Sequence, residues 1–170
     1  MELELRQLSP DHGFDEYYML QEIDNNEFGF TNEVKGMSYR EYKTWLKQQD
    51  DYSKAQNLPQ NWIPQTTYFL YIDGLPVGIG RIRHCANEFL ERQGVGNFGY
   101  GIAKSFRGNG YGDSLFQNLL EKCRDMGYLK IKLFPYIDNI ATNKIMRKHG
   151  AILLGTINGE KNIYEISLYR

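Results

Sequence analysis

Hydrophobic positions along the chain repeat with two spacings, one typical of strands and one typical of helices. Alternating or continuous short apolar runs predict strands at 3–8, 66–72, 77–85, 96–103, 129–134, 151–157 and 163–169. Apolar residues three or four positions apart predict helices at 14–24, from 38 onward, at 111–126 and at 138–149. The predicted order is β-α-α-β-β-β-α-β-α-β-β, which indicates an α/β fold with helices packed on a mixed sheet of the α+β type.

Local signals at caps and turns agree with these boundaries. Ser38 and Glu41 have the spacing of a capping box, and Asp138 is placed to cap the last helix. The segments 73–76 and 158–159 have the composition of hairpin turns between paired strands.

Composition limits the class of protein. The chain has 170 residues, 41% hydrophobic and 24% charged, which suits one domain, 1–170, with a single core. A formal net charge of −1 provides no basic surface for nucleic acid or an anionic membrane. No apolar run approaches the roughly 20 residues that span a bilayer, and the N-terminus lacks signal-peptide features, so a cytoplasmic protein is expected. The two cysteines, Cys85 and Cys123, predict no disulfide framework.

The segment Arg107-Gly108-Asn109-Gly110-Tyr111-Gly112 lies where a predicted strand gives way to a predicted helix. The first turn of a helix leaves backbone N–H groups without intrahelical acceptors and carries the positive end of the helix dipole, so it attracts anions. Glycine lets a phosphate approach the backbone closely, and Arg107 adds a positive charge. The segment matches neither the Walker pattern nor the dinucleotide fingerprint. It is predicted to bind a phosphate group, the alternative being a tight turn without a ligand.

The preceding strand and this loop, residues 97–112, resemble the acetyl-CoA motif of the GNAT superfamily of N-acetyltransferases, with its Q/R-x-x-G-x-G/A pattern. Further on, residues 139–151 resemble the family's Asn that opens a short helix ending in K/R-x-G-F. Short segments at 61–64, 81–84 and 87–90 resemble a branch of bacterial predicted acetyltransferases. The resemblance implies the GNAT acyl-CoA N-acyltransferase fold. It also implies transfer of an acetyl group from acetyl-CoA, the co-substrate, to a primary amine of a small molecule or peptide by direct attack.

The resemblance assigns coenzyme-binding roles residue by residue. The pyrophosphate would be held by the loop backbone at Gly108, Asn109, Gly110, Tyr111 and Gly112. Arg107 would lie at the edge of the pyrophosphate, and Asn139 would contact the coenzyme from the other side. The backbone of Ile102 would pair with the pantetheine arm like an added strand, and its N–H or that of Tyr100 would point at the thioester oxygen. Gly99 and Gly101 interrupt this strand, and interior glycines indicate a bulge or the close approach of another group, such as a ligand backbone.

The implied reaction needs a base and benefits from an acid. An alkyl amine has a pKa of about 10, so it arrives protonated at neutral pH and must lose a proton before attack. Glu88 and His84 precede the glycine-interrupted strand, where related enzymes often keep a carboxylate, and are the expected pair. Many family members protonate the leaving thiolate with a Tyr seven residues after the Asn, a position occupied here by Met146. Methionine donates no proton, so either another residue takes this role, with Tyr100, Tyr136 and Tyr164 as the first candidates, or the thiolate, with a thiol pKa of about 8.5, leaves without much help.

The acceptor site is expected in the segment 25–36, predicted as a loop, which faces the acyl end of the coenzyme in the family. It contains Glu27, Phe28, Phe30 and Glu33. Acidic and aromatic side chains together suit a cationic amine, through charge pairing and cation–π contact. No metal site is expected, because the adjacent His84 and Cys85 point to opposite faces of a strand and no second pair has ligand spacing.

Other classes of function are compatible with the same residues. A non-catalytic acyl-CoA-binding regulatory module would keep the segment 107–112, which we term the glycine loop, but would not catalyse acyl transfer. Met146, at the position of the family's tyrosine, favours this interpretation. An unrelated phosphate-binding α/β protein, such as one that takes a free nucleotide, would show competition by ATP and not by CoA. If the protein is an enzyme, transfer of an acyl group longer than acetyl is a further alternative. The resemblance also allows a homodimer formed at a sheet edge or a terminal strand.

Overall fold

The computed structural model describes residues 1–169. Its strands are β1 (Leu3–Gln7), β2 (Asn26–Glu27), β3 (Phe30–Thr31), β4 (Gln65–Ile72), β5 (Leu75–Arg83), β6 (Phe98–Ile102), β7 (Lys130–Leu133), β8 (Ile152–Ile157) and β9 (Lys161–Ser167). Its helices are α1 (Phe14–Gln21), α2 (Tyr39–Ser53), α3 (Glu88–Arg92), α4 (Tyr111–Asp125) and α5 (Ile140–Lys148). A single 3₁₀ turn, Lys104–Phe106, connects β6 to the glycine loop.

Most strands belong to two antiparallel sheets. The larger has the order β1-β4-β5-β6, and the smaller has the order β7-β9-β8. Leu5 of β1 faces Leu70 of β4, and Gly80 of β5 faces Tyr100 of β6. Within the described part of the chain, the short strands β2 and β3 pair only with each other. This combination of helices and sheets confirms the predicted fold class.

Helices cover both faces of the larger sheet. All eight residues of β4 are therefore buried. Leu70 and Ile72 pack in the cluster that includes α4, while Phe69 and Tyr71 pack in the cluster that includes α1 and α2. Because one strand contributes to two cores, its residues 68–72 form a continuous apolar and aromatic run rather than an alternating one.

The position of α4 depends on two glycines in β5. The apolar stripe of α4 is fully buried against the sheet at Leu115, Phe116, Leu119 and Cys123. A Cβ at Gly80 would lie 2.8 Å from the side chain of Leu119, and one at Gly78 would lie 2.9 Å from the carbonyl of Gly101. The absence of these side chains lets α4 lie close to β5. The N-terminus of α4 is thereby fixed beside the end of β6.

The structure also differs from the expectation in several details. Helix α1 ends at Gln21 rather than at 24. The prediction that Asp138 caps α5 was wrong, because the side chain of Asn139 accepts the capping hydrogen bond. The segment 25–36 contains the β2–β3 hairpin, and α3 begins after Asn87, whose side chain caps its first turn.

Candidate functional site

The outer edge of β6 presents unpaired backbone groups. The N–H of Ala103 donates to the carbonyl of Val77 in β5 at 2.9 Å. Hydrogen-bonded and non-hydrogen-bonded positions alternate in an antiparallel pair, so the N–H groups of Tyr100 and Ile102 point away from β5. An extended ligand can therefore pair with this edge as an added strand.

A cleft opens beside this edge because β6 and β7 meet at one end only. The N–H of Asn97 donates to the carbonyl of Lys132 at 3.1 Å, and the N–H of Lys132 donates to the Asn97 side chain at 2.8 Å. Over residues 1–169, no strand pairing joins β6 to β7 beyond that contact.

The cleft has two compartments. The larger, which we term the loop groove, has a volume of about 500 Å³ and is lined by β6, the glycine loop and α5. The smaller, which we term the arginine pocket, has a volume of about 250 Å³ and extends past β2 and β3 to Arg81, Arg83 and Lys161. Both compartments are lined by Glu27, Phe28, Tyr100, Asn139 and Thr142.

The glycine loop leaves the N-terminus of α4 uncovered. Gly108 and Gly110 have φ angles of +79° and +82°, which favour glycine, and a Cβ on either would meet no atom within 4 Å. The first hydrogen bond of α4 runs from the N–H of Ser114 to the carbonyl of Gly110 at 3.2 Å. The N–H groups of residues 111–113 thus have no acceptor within the helix, which is the arrangement that binds phosphate.

Two side chains hold the loop in place. The Asn109 amide donates to the carbonyl of Phe106 at 3.0 Å. Arg107 donates through Nε to the carbonyl of Ile102 at 2.9 Å and through Nη2 to Glu27 at 2.8 Å. Arg107 therefore joins the loop, the end of β6 and β2 at the edge of the loop groove.

Phe28 lies at the tip of the β2–β3 hairpin in an unusual conformation. Its φ is +48° and that of Gly29 is +91°, the pattern of a two-residue type I′ turn. A bulky residue seldom adopts a positive φ, and such residues cluster at functional sites. The turn leaves the Phe28 side chain exposed at the junction of the two compartments.

Tyr100 lies at the same junction on the opposite wall. Its hydroxyl is 3.2 Å from the hydroxyl of Thr142 in the first turn of α5. Burial raises the pKa of Tyr100 to about 12. The hydroxyl is therefore protonated at neutral pH and can donate a hydrogen bond into the cleft.

Asp113 connects the start of α4 to the end of α5. His149 contacts one carboxylate oxygen at 2.5 Å, and Lys148 pairs with the other. Burial alone would raise the pKa of Asp113, but these two hydrogen bonds outweigh burial and lower the pKa below its ordinary value. Asp113 lines the loop groove as a carboxylate that is already paired.

The comparisons with known proteins identify the family. A sequence profile of the acetyltransferase (GNAT) family matches residues 18–151. The chain belongs to this family. Comparison with curated protein sequences gives no match.

Solved structures similar to this GNAT acetyltransferase share its fold at low sequence identity. A GNAT-family acetyltransferase from Streptococcus pneumoniae is 18% identical with a TM-score of 0.64, covering 98% of this chain and 99% of that chain. The ribosomal L7/L12 alpha-N-protein acetyltransferase RimL in complex with coenzyme A is 18% identical with a TM-score of 0.69, covering 97% and 93%. The spermidine/spermine N-acetyltransferase SpeG from Vibrio cholerae is 15% identical with a TM-score of 0.64, covering 98% and 95%.

The two residues expected to supply the base in this acetyltransferase lie outside the cleft. The Glu88 side chain is 80% exposed on α3 and pairs with Arg92 at 3.2 Å. His84 is exposed at the end of β5, 2.6 Å from the hydroxyl of Thr66, and partial burial of its ring lowers its pKa. Neither side chain lines the loop groove or the arginine pocket.

Of the three candidate tyrosines, the structure places only Tyr100 in the cleft. Tyr136 packs beside Gly29 and receives the Lys161 ammonium 4.7 Å from its ring centroid. Tyr164 is buried in the core, and its hydroxyl accepts a hydrogen bond from Arg147 at 3.1 Å.

Three of the four acceptor-site residues expected from the sequence line the cleft. Glu27, Phe28 and Phe30 line the arginine pocket, whereas Glu33 does not. Glu33 instead accepts a hydrogen bond from the Trp45 indole at 3.2 Å.

Side chains of the protein itself lie next to both glycines of β6. A Cβ at Gly99 would lie 3.1 Å from the ring of Phe30, and one at Gly101 would lie 3.5 Å from Ile23. The neighbours of these glycines are thus side chains of β3 and of the segment that follows α1. The ring of Phe30 disfavours a side chain at Gly99, whereas a Cβ at Gly101 would be at an ordinary van der Waals distance, so the close approach of a ligand at Gly101 stays a prediction.

Sequence reasoning missed the two arginines of the pocket. Arg81 and Arg83 occupy alternate positions of β5 in step with Ile79, which is buried in the cluster that includes α1 and α2. The sequence signal that was available is two arginines at alternate positions of an otherwise apolar strand.

No helix among residues 1–169 is long and apolar enough to cross a bilayer, and no cluster of three or more potential metal ligands occurs there.

Proposed function

We propose that this protein transfers the acetyl group of acetyl-CoA to the primary amine of a small molecule or peptide by direct attack. The observation that carries the proposal is the loop groove, in which free N–H groups of α4 and of β6 line one volume of about 500 Å³. Two structural relatives are named for acting on amines, a protein N-terminus and spermidine, and one of them contains coenzyme A.

The loop groove fits the parts of acetyl-CoA. The backbone from Gly108 to Gly112 is open to a diphosphate, because no atom lies within 4 Å of a Cβ at 108 or 110. The edge N–H groups of Tyr100 and Ile102 suit the amides of the pantetheine arm. Arg107 and Asn139 flank these two regions. When bound, acetyl-CoA supplies a thioester that an amine can attack.

Glu27 is the candidate to receive the proton of the amine. It is the one carboxylate among residues 1–169 that lines both compartments, and its side chain is 14% exposed. A carboxylate at the junction can accept a proton directly or through one water and can also orient an ammonium group. In this proposal Glu27 replaces Glu88 and His84, which face solvent elsewhere.

Tyr100 is the candidate to stabilise the departing sulfur. Its pKa of about 12 lies above the value of about 8.5 that is usual for a thiol. Complete transfer of its proton to a thiolate is therefore unfavourable, so the hydroxyl acts as a hydrogen-bond donor rather than as a full acid. The mechanism then does not need a tyrosine at the position of Met146.

The test is a mass-spectrometric screen for acetylated products, with acetyl-CoA and pooled polyamines, amino acids, aminoglycosides and peptides. At saturating acetyl-CoA, we expect Glu27→Gln to lower kcat by roughly 10²-fold, the size of a typical general-base effect. Arg107→Gln breaks the same ion pair but keeps the carboxylate, so it should mainly raise the KM for acetyl-CoA.

Glu88→Gln is the companion variant that compares the two base candidates. It should retain activity, because its carboxylate lies in solvent. Loss of activity in Glu88→Gln with retention in Glu27→Gln would contradict the assignment. Tight binding of acetyl-CoA without transfer to any amine would support the non-catalytic module instead.

A further inference from the structure

The arginine pocket contains a buried guanidinium whose hydrogen-bonding capacity is largely unused. Arg81 is 8% exposed, and its Nε and Nη2 atoms are buried without a hydrogen-bond partner among residues 1–169. Its one hydrogen bond is long, from Nη1 to the carbonyl of Thr31 at 3.4 Å. Buried charges in proteins are normally paired and hydrogen-bonded, because desolvation is otherwise unfavourable. Arg81 therefore lacks an acceptor that its position calls for.

The nearest carboxylate does not fill that role. Glu33 lies 3.7 Å from Nη2 of Arg81, beyond hydrogen-bonding distance, and its side chain is 40% exposed. Its closer hydrogen bond is with the Trp45 indole at 3.2 Å. Burial lowers the pKa of Arg81, and the charge of Glu33 offsets this effect only in part.

Positive charge exceeds negative charge around the pocket. Arg83 and Lys161 also line it, and each donates only to a backbone carbonyl among the described residues, that of Gly96 at 2.8 Å and that of Gly94 at 3.1 Å. The one carboxylate in the lining, Glu27, is paired with the arginine of the glycine loop. Among residues 1–169, Arg83 and Lys161 thus have no carboxylate partner, and the carboxylate nearest to Arg81 is Glu33 at 3.7 Å, outside the pocket lining.

We propose that the arginine pocket binds an anionic oxygen group, a carboxylate or a phosphate ester, that the acceptor carries in addition to its amine. A guanidinium presents its N–H groups as a planar fork that matches such oxygens. The pocket shares its junction with the loop groove, so one molecule can place its anion near Arg81 and its amine near Glu27. This inference rests on the proposed acetyl transfer and refines the expectation of a purely cationic acceptor.

The test compares acceptors in matched pairs that differ in the anion. One pair is L-alanine and L-alaninamide, and the other is phosphoethanolamine and ethanolamine. The amide has the less basic amine, so a preference for L-alanine cannot come from easier deprotonation. We expect the anionic member of at least one pair to have a kcat/KM at least tenfold higher, and the pair that responds distinguishes carboxylate from phosphate.

Variants then connect the preference to the pocket. In the pair that responds, Arg81→Gln should bring the ratio of kcat/KM for the anionic acceptor to kcat/KM for the neutral acceptor close to one, while leaving the KM for acetyl-CoA unchanged. Arg81→Lys should retain only part of the wild-type preference. Lys161→Gln, at the more accessible wall, should lower the ratio in the same direction if Arg81→Gln does not fold. Arg92→Gln, which removes an exposed cation outside the cleft, should keep the wild-type ratio.

Two results would overturn the inference while leaving acetyl transfer intact. One is a wild-type protein that acetylates the neutral member of both pairs equally well or better. The other is an equal loss for both members in Arg81→Gln and Lys161→Gln, which would indicate a structural role.

If no amine is acetylated, calorimetry with phosphoethanolamine and L-alanine on the CoA-saturated protein separates the two claims. Binding that Arg81→Gln or Lys161→Gln abolishes would retain the anion pocket and reject the transferase. Absence of binding would reject both.

Discussion

Replacing Gly110 by alanine tests the glycine loop, and Gly74 provides a matched control. Gly110 has a φ of +82° and Gly74, in the β4–β5 turn, has a φ of +81°, and a Cβ at either meets no atom within 4 Å. The left-handed conformation costs an L-residue about 1–2 kcal/mol. For a domain of this size each kcal/mol lowers Tm by about 2–4 °C, so both variants should lose roughly 2–8 °C.

The two variants should differ in their response to acetyl-CoA. At a hundredfold excess over Kd, a ligand adds about 2.7 kcal/mol of stability. The added methyl of Gly110→Ala enters the wall of the loop groove, and a tenfold weaker Kd would reduce that gain to about 1.4 kcal/mol. Gly74→Ala should keep the full gain, because its turn is remote from the groove.

The assay is thermal or denaturant unfolding with and without acetyl-CoA, with ATP as the competing ligand. A full acetyl-CoA response in Gly110→Ala would refute the placement of the diphosphate. An equal loss in Gly74→Ala would show that strain alone, rather than contact with the ligand, causes the effect.

Three further predictions concern the hydroxyl of Tyr100, the thiols and the packing of α4. Tyr100→Phe should lower kcat by roughly 10²-fold, as for loss of one preorganised donor, and leave the KM for acetyl-CoA nearly unchanged in steady-state assays. A thiol reagent should label Cys85, which is exposed, and not Cys123, whose pKa burial raises to about 12; denaturation should expose both. Gly80→Ala should destabilise the fold by about 1–3 kcal/mol in denaturant unfolding, because its Cβ would lie 2.8 Å from Leu119; an unchanged midpoint would contradict this packing.

The sequence predicts those parts of the fold that depend on local chemistry. The glycine loop, the stripe of α4 and the turn at 158–159 follow from residues close to one another in the chain. The β2–β3 hairpin does not, because its turn uses Phe28 and Gly29 in place of the usual Asn-Gly or Asp-Gly. Helix α3 has five residues, too few for an apolar period to identify.

The functional site likewise has features that the sequence predicts and features that depend on the tertiary structure. The free N–H groups of the loop are a property of any strand-to-helix turn with glycines, so the sequence identifies them. The role of Arg81 depends on burial beneath Phe30, whose ring centroid lies 5.2 Å from the guanidinium carbon, and on a carboxylate that stays too far away. Glu88 illustrates the converse, because proximity to β6 along the chain did not bring its side chain to the cleft.

A crystal structure of the protein with coenzyme A would show directly where the coenzyme binds. We expect diphosphate oxygens within about 3 Å of the N–H groups at 108–113, and pantetheine amides hydrogen-bonded to the free edge of β6 at Tyr100 and Ile102. A coenzyme bound away from the glycine loop, or a β6 edge left unpaired in the complex, would contradict this expectation.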